Sequence, residues 1–351
     1  MNYYMFEDLY AKIKEVGPVW IWGVGSYARE IEKRLKENSI QVLGHFVDIE
    51  GKYRNEVHCR NVATLEKLMN GKEPINVVVG HGHSELAEKL SNIEIIKNIW
   101  VVPNPYTQYY PSKVSIQKIG SRLPELETML WDEESRYNLK AWLSLYQETF
   151  PWEKFYKNPY SLIKSVFEFQ PLQLTHNENY IDCGAWDGDT VLQFSKSVKQ
   201  CYQNIVAIEP GDDGFRRLTE NTKSMRNIIT LQYALGKDQV VMYMENEDTQ
   251  SAFCCHNGKG KMVNVLTIDD VCKNYNISPS LIKIGIPVTF YDTLRGARNI
   301  IETQKPRIII GINWDDCSHV CEVIEYLSKH GYRVALRYTM RTSTQVWCYG
   351  F

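Results

Sequence analysis

The sequence carries no excess of charge of either sign: 40 Lys and Arg stand against 42 Asp and Glu, a net charge of -2. No basic run is present to follow a phosphate backbone, so nucleic acid is not the expected partner. Nowhere do about 18 apolar residues run together, which excludes a membrane-spanning helix as an expectation. The opening stretch Met1-Asn2-Tyr3-Tyr4-Met5-Phe6-Glu7-Asp8 lacks the basic-then-apolar order of an export signal, and the expected location is cytoplasmic. Nine cysteines, odd in number and without framework spacing, read as reduced thiols. Cys317 and Cys321 flank His319, and Cys254-Cys255 precede His256. Paired CxxC motifs are missing, so no metal is expected.

What is present is ordinary globular composition, 44% apolar and 23% charged over 351 residues, enough for two domains with real cores. The apolar run Val19-Trp20-Ile21-Trp22 leads through Gly23-Val24-Gly25-Ser26-Tyr27-Ala28 into a helical pattern, with Ile31 and Leu35 four apart. A second run at 42–47 closes on Asp48, and further strands are expected at 76–79 and 99–102 around a helix at 84–90. This alternation predicts a small Rossmann-like α/β domain over residues 1–110. A helical connector is expected over 111–175. Its apolar residues from Leu126 to Phe150 recur mostly at threes and fours, which reads as one packing helix. A second β-α alternation over 176–351 places strands near 180–184, 205–208, 229–233, 281–284, 307–312, 333–338 and 345–349. The last two lie close enough to form an antiparallel hairpin.

The chemistry concentrates where the second alternation opens. Tyr180-Ile181-Asp182-Cys183-Gly184-Ala185-Trp186-Asp187-Gly188-Asp189-Thr190 delivers an acid from an apolar strand into a glycine-bearing loop, where backbone can approach a ligand. The next strand ends in Glu209-Pro210, a carboxylate suited to the two hydroxyls of a ribose. Dinucleotide folds share that acid, but they need GxGxxG for a pyrophosphate. Here the spacing is DxGxxxG, and Asp187 and Asp189 would repel a pyrophosphate while tolerating an ammonium and a sulfonium. S-adenosylmethionine is the better fit as cofactor.

These residues resemble the FkbM-type methyltransferases over about residues 176–351. The first cofactor loop is similar at 182–190, the ribose-binding strand end at Ile208-Glu209-Pro210, and the segment after the third strand at Ala234-Leu235-Gly236. Val265-Leu266-Thr267-Ile268-Asp269-Asp270 resembles the family's threonine and double-aspartate signature, and 331–338 its closing hairpin. The resemblance implies a cofactor site built from Asp182, Gly184, Ala185, Gly188, Thr190, Glu209, Pro210 and Ala234. It also implies methyl transfer to a hydroxyl on a sugar, glycan precursor or secondary metabolite.

The chain departs from the family where an acceptor would sit. After Lys283, three expected carboxylates have become Gly285, Pro287 and Phe290, while Leu294-Arg295-Gly296-Ala297 still matches. A tyrosine-histidine pair common in the family is replaced by Asn313-Trp314. General-base help is worth about 10²–10⁴-fold, so another group is expected to take the proton. Asp187 and Asp315 are the leading catalytic candidates, with Asp292, Asp316, His256 and His319 behind them. Each has an ordinary alternative as a helix cap or a surface residue. Lys283 reads either as a site residue or as a solvated strand-edge charge.

In the first domain, Gly23 to Ala28 is a GxGxxA match followed by Asp48, formally a dinucleotide fingerprint. A structural or oligomerising role, a nucleotide ligand with His81 or His83 nearby, and NAD(P) all stay open for it. Three readings follow. The first is an active O-methyltransferase for a small-molecule or carbohydrate acceptor. The second is a catalytically impaired methyltransferase-like protein that keeps its cofactor, and the third a nucleotide-sugar oxidoreductase built on the first domain.

Overall fold

The computed structural model describes residues 2–3, 8–47, 62–71, 73–80, 90–102, 112–144, 159–245, 253–255, 260–286, 289–312, 319–339 and 346–351. The chain forms two compact units. One comprises Met1–Gln117, Lys140–Pro159 and Arg341–Thr344, the other Lys118–Leu139, Tyr160–Met340 and Gln345–Phe351. The stretch 111–175 is thus divided between the two.

The first unit holds a six-stranded parallel sheet. Its strands are β1 (Asn2–Tyr3), β2 (Val19–Trp22), β3 (Val42–Val47), β4 (Val62–Thr64), β5 (Ile75–Gly80) and β6 (Ile96–Val102), in the order β1-β6-β5-β2-β3-β4. Val19, Ile21, Phe46, Val77, Val78, Val79 and Val101 bury completely, as strands covered on both faces require. Helix α1 (Leu9–Glu15) precedes β2, α2 (Ser26–Glu37) follows it, and α3 (Leu65–Met69) follows β4. Ala28, Ile31 and Leu35, three and four apart, form the buried stripe of α2. The expected α/β alternation is found, with two short edge strands added. The expected helix at 84–90 falls almost wholly outside the described residues.

Helices α4 (Lys113–Ser121), α5 (Leu123–Met129) and α6 (Glu133–Ser144) follow. The single packing helix expected from Leu126 onward is broken, and tertiary pairing breaks it. Leu130 forms a bridge to Val334, and Trp131 N–H donates to the Val334 carbonyl at 2.8 Å, which takes both residues out of helical geometry. Arg337 secures this corner from the sheet edge. Almost fully buried, it donates to Asp132 Oδ2 at 2.5 Å and Ser135 Oγ at 2.9 Å, and lies 3.2 Å from Glu134 Oε2. Burial would raise the Asp132 carboxyl, but the bonds from Arg337 and Ser135 hold it below its ordinary value.

The second unit is built on a seven-stranded sheet. Its members are β7 (Asn179–Cys183), β8 (Asn204–Ile208), β9 (Ile228–Leu231), β14 (Leu281–Ile284), β15 (Arg307–Ile312), β16 (Val334–Arg337) and β17 (Val346–Gly350). The order is β16-β17-β15-β14-β7-β8-β9. All neighbours pair in parallel except β17, which runs antiparallel to both β15 and β16 and forms the expected closing hairpin. Glu178, fully buried just before β7, ties the lower ends of three strands. It accepts Thr175 N–H at 2.7 Å and also bonds Ser280 and Arg307.

A mixed four-stranded sheet lies beside it in sequence: β10 (Ala234–Leu235), β11 (Val240–Glu245), β12 (Phe253–Cys255) and β13 (Lys261–Leu266), ordered β10-β13-β11-β12. Sequence reading did not separate these strands, because β13 is buried only on alternate residues and Val240 and Val241 are exposed. The helices of this unit are α7 (Asp189–Ser197), α8 (Asp212–Thr222), α9 (Ile268–Tyr275), α10 (Phe290–Arg295), α11 (Arg298–Thr303) and α12 (His319–Lys329). Among the described residues no helix is long and apolar enough to cross a membrane.

Candidate active site

The strand order of the large sheet reverses at β7: the chain proceeds outward to β8 and β9 on one side, then resumes with β14 and β15 on the other. Open α/β sheets bind ligands in the crevice beyond the carboxyl ends of their strands at such a point. Here Cys183, Ile208 and Ile284 end the three strands concerned. Gly184 N–H and Ala185 N–H both donate to the Ile208 carbonyl at 3.0 Å, and Gly285 N–H donates to Cys183 at 2.9 Å. Gly184 has φ +76°, and a Cβ there would lie 2.8 Å from the Gly285 carbonyl oxygen. Only glycine permits both the dihedral and the approach.

Asp182 is fully buried beneath this loop with each oxygen engaged. Oδ2 accepts the Thr190 hydroxyl at 2.5 Å and Oδ1 accepts Lys283 Nζ at 2.9 Å. Lys283, 4% exposed, also donates to the Gly184 carbonyl at 3.1 Å and to Thr190 Oγ1 at 3.3 Å. Three ammonium protons therefore meet three acceptors, which is the condition under which a buried ion pair is tolerated. A Cβ on Gly285 would lie 2.6 Å from Lys283 Nζ. Gly285 and the inward lysine are thus a single arrangement.

Glu209 lies 6% exposed at the tip of the neighbouring strand. Its Oε2 accepts Trp186 N–H at 3.0 Å and its Oε1 accepts Gly211 N–H at 2.9 Å. Burial raises its carboxyl above the ordinary glutamate value, and these two amides offset part of that rise. Each oxygen keeps a further lone pair, so two acceptors stand side by side, as vicinal hydroxyls need. Gly214 on α8 makes this packing feasible. A Cβ there would lie 2.9 Å from Trp186 Cε3 and 3.1 Å from Glu209 Cγ.

The other expected residues are distributed unevenly. Asp187 is half-buried; its Oδ1 accepts Asp189 N–H at 3.2 Å and its carbonyl accepts Asn221 Nδ2 at 2.8 Å, so it shapes the turn into α7. Gly188, at φ +87°, caps that helix, and Ala185 is fully buried within the loop. Pro210 follows Glu209 directly. Ala234 belongs to β10 of the four-stranded sheet, where it pairs with Val265. Asp292 sits in the first turn of α10, 3.7 Å from Arg295. Phe290 is fully buried and meets the His319 ring at 5.9 Å, while His319 stacks on Tyr291 at 5.0 Å and bonds Glu322. Asp315, Asp316, His256, Pro287 and Asn313-Trp314 lie outside the described residues.

Residues 182–334 match the family model of the methyltransferase FkbM domain. The C-terminal half carries an FkbM methyltransferase domain. A crystal structure of the methyltransferase FkbM from Methylobacillus flagellatus is 15% identical, with a TM-score of 0.69, over 98% of this chain and 92% of that one. A precorrin-6y C5,15-methyltransferase from Geobacter metallireducens is 13% identical, with a TM-score of 0.34, over 55% of this chain and 94% of that one. No curated protein matches the sequence.

Within the FkbM domain, Lys283, which the sequence left between two readings, is the buried partner of Asp182, and Trp186, Gly211 and Gly214, which were not expected to shape the site, surround Glu209. A signal existed for the first. A lysine flanked by Leu281, Ile282 and Ile284 in a buried strand must find a counter-charge, and Asp182 faces it in register. Nothing in the spacing pointed to the other three.

The first unit has its own reversal of strand order, at β2. Gly23, at φ +91°, leaves that strand, and its N–H donates to Phe46 at 2.9 Å. His45, buried on β3, places Nδ1 2.7 Å from the Gly23 carbonyl and Nε2 3.1 Å from Glu32 Oε2. Burial would raise the Glu32 carboxyl, but hydrogen bonds from Lys36 and His45 hold it below its ordinary value. Asp48, His81 and His83 lie outside the described residues.

Proposed function

We propose that the FkbM domain is an S-adenosylmethionine-dependent O-methyltransferase acting on a hydroxyl of a sugar, a glycan precursor or a secondary metabolite. The observation that carries this reading is Glu209, oriented by two backbone amides at the strand tip beside the switch point with two lone pairs left for a diol. The donor set supports it. Lys283 is consumed inside the protein, so a pyrophosphate would find no unengaged ammonium there, whereas the half-buried Asp187 favours a cationic ligand. When bound, S-adenosylmethionine supplies a methyl group already activated by its positive sulfur. The chain's task is then to hold the acceptor oxygen in line and take its proton. Asp187 and Asp315 are the proposed proton acceptors. Incubation with S-adenosylmethionine and hydroxylated sugars should yield S-adenosylhomocysteine, and lack of S-adenosylmethionine binding at millimolar concentration overturns the proposal.

One arrangement favours a second reading, a cofactor-binding protein with impaired turnover. Gly285 lies under Lys283, Phe290 is sealed in the core and the position between them is Pro287, so none of the three positions at which the resemblance implies an acid holds one. Tight S-adenosylhomocysteine binding with no product from any hydroxylated acceptor would select this reading. Product formation excludes it.

A further inference from the structure

A hollow of about 510 Å³ opens on the C-terminal unit, with no part in the site above. Four cationic side chains, Lys237, Arg295, Arg298 and Lys329, line it against the carboxylates of Asp238 and Glu302. Glu302 is committed, its Oε1 accepting Arg298 Nε at 2.9 Å. Arg295 is ion-paired with Asp292 at 3.7 Å and lies over the Tyr291 ring at 5.9 Å, while Lys237 and Lys329 form no ion pair among the described residues. Two unpaired lysines and a loosely paired arginine therefore face Asp238, which has no ion pair among the described residues. Tyr326 also lines the hollow, and its buried hydroxyl has no hydrogen-bond partner among the described residues. His330 lies beside it. Its Nδ1 proton goes to the Tyr326 carbonyl at 2.7 Å, and its Nε2 lies 3.8 Å from Glu302 Oε1.

We propose that this hollow binds a small diphosphate-bearing anion. A carboxylate offers one charge and two oxygens, too few for two lysines, an arginine and a phenol. A diphosphate offers about three charges and enough acceptor oxygens for all of them. The concave shape and volume suit a small molecule rather than a polymer.

The test is calorimetric titration of the full chain with pyrophosphate at low salt, with S-adenosylhomocysteine titrated in parallel. Wild type should bind pyrophosphate, and the combined Lys237→Ala and Lys329→Ala variant should bind it about tenfold more weakly or worse. Tyr326→Phe should lose a smaller factor. Because both lysines are exposed, the double variant should keep its thermal midpoint and any affinity for S-adenosylhomocysteine. No pyrophosphate binding at about 10 mM overturns the proposal. So does equal affinity in the double variant, or binding of single-stranded RNA without pyrophosphate. Pyrophosphate binding without S-adenosylhomocysteine binding leaves this proposal standing and removes the methyl-transfer reading.

Discussion

Two loops in this protein answer the same structural problem with opposite electrostatics. Both leave the central strand of a parallel sheet at a reversal of strand order, both begin with a glycine at positive φ, and both run into an amphipathic helix. The loop of the first unit is held through a carbonyl: Gly23 faces the ring of His45 on the next strand. The loop of the second is held through an amide: Trp186 N–H faces the carboxylate of Glu209 on the next strand. One neighbour strand therefore presents a donor and the other an acceptor with lone pairs to spare. The shared topology places a crevice; the side chain at the adjacent strand tip decides what the crevice can recognise.

The comparison breaks first at the buried charges. Lys283→Met should leave Asp182 buried and unpaired, lowering stability by about 3–5 kcal/mol, a large fraction of a domain's total, read as a fall in the urea midpoint. The counterpart in the first unit is milder. His45→Gln removes one hydrogen bond to Gly23 and one to Glu32 but keeps a polar side chain, and should cost about 1 kcal/mol. Equal losses in the two variants would erase the contrast.

Next comes recognition. Glu209→Ala should weaken S-adenosylhomocysteine binding about 10–150-fold, the loss of hydrogen bonds to a charged acceptor worth about 1.5–3 kcal/mol. Asp182→Ala should act differently, because both its oxygens bond inside the protein. Its effect should fall on stability first and on affinity only through the loosened loop.

The pH dependence sharpens the same point. Glu209 holds its proton above the ordinary glutamate value because it is buried. Its contribution to stability is therefore present below that ordinary value and is lost as pH rises through its folded value. A diol needs the ionised form, so affinity should move the other way, falling on acidification before an ordinary glutamate would protonate. Kd for S-adenosylhomocysteine measured against pH should show this fall, and Glu209→Gln should remove it. A comparable but smaller structural effect is expected from Gly285→Ala. Its Cβ would displace Lys283 from Asp182, costing about 1–3 kcal/mol in a thermal or urea melt.

Much of the fold was legible because strands buried on both faces announce themselves as apolar runs. The expected strands at 281–284 and 307–312 coincide with β14 and β15, and that at 42–47 with β3. Half-exposed strands do not announce themselves. Val240–Glu245 and Lys261–Leu266 share their apolar residues with solvent-facing ones, so the four-stranded sheet escaped notice. The break at Leu130 was illegible for another reason: its cause, Val334, lies about two hundred residues away in sequence. In the site, Asp182, Gly184, Thr190 and Glu209 were legible as a motif. Their division of labour was not, since it depends on a lysine in β14 and a glycine in α8 that the motif does not contain.

The central claim is that Glu209 and the loop it orients form the sugar-binding half of an adenosyl cofactor site. Calorimetric titration of S-adenosylhomocysteine into wild type, Glu209→Ala and His45→Gln tests it most directly. The account predicts binding by wild type and by the His45 variant, with a loss of about tenfold or more confined to the Glu209 variant. Equal affinity in all three, or no binding to any of them at millimolar ligand, would contradict it.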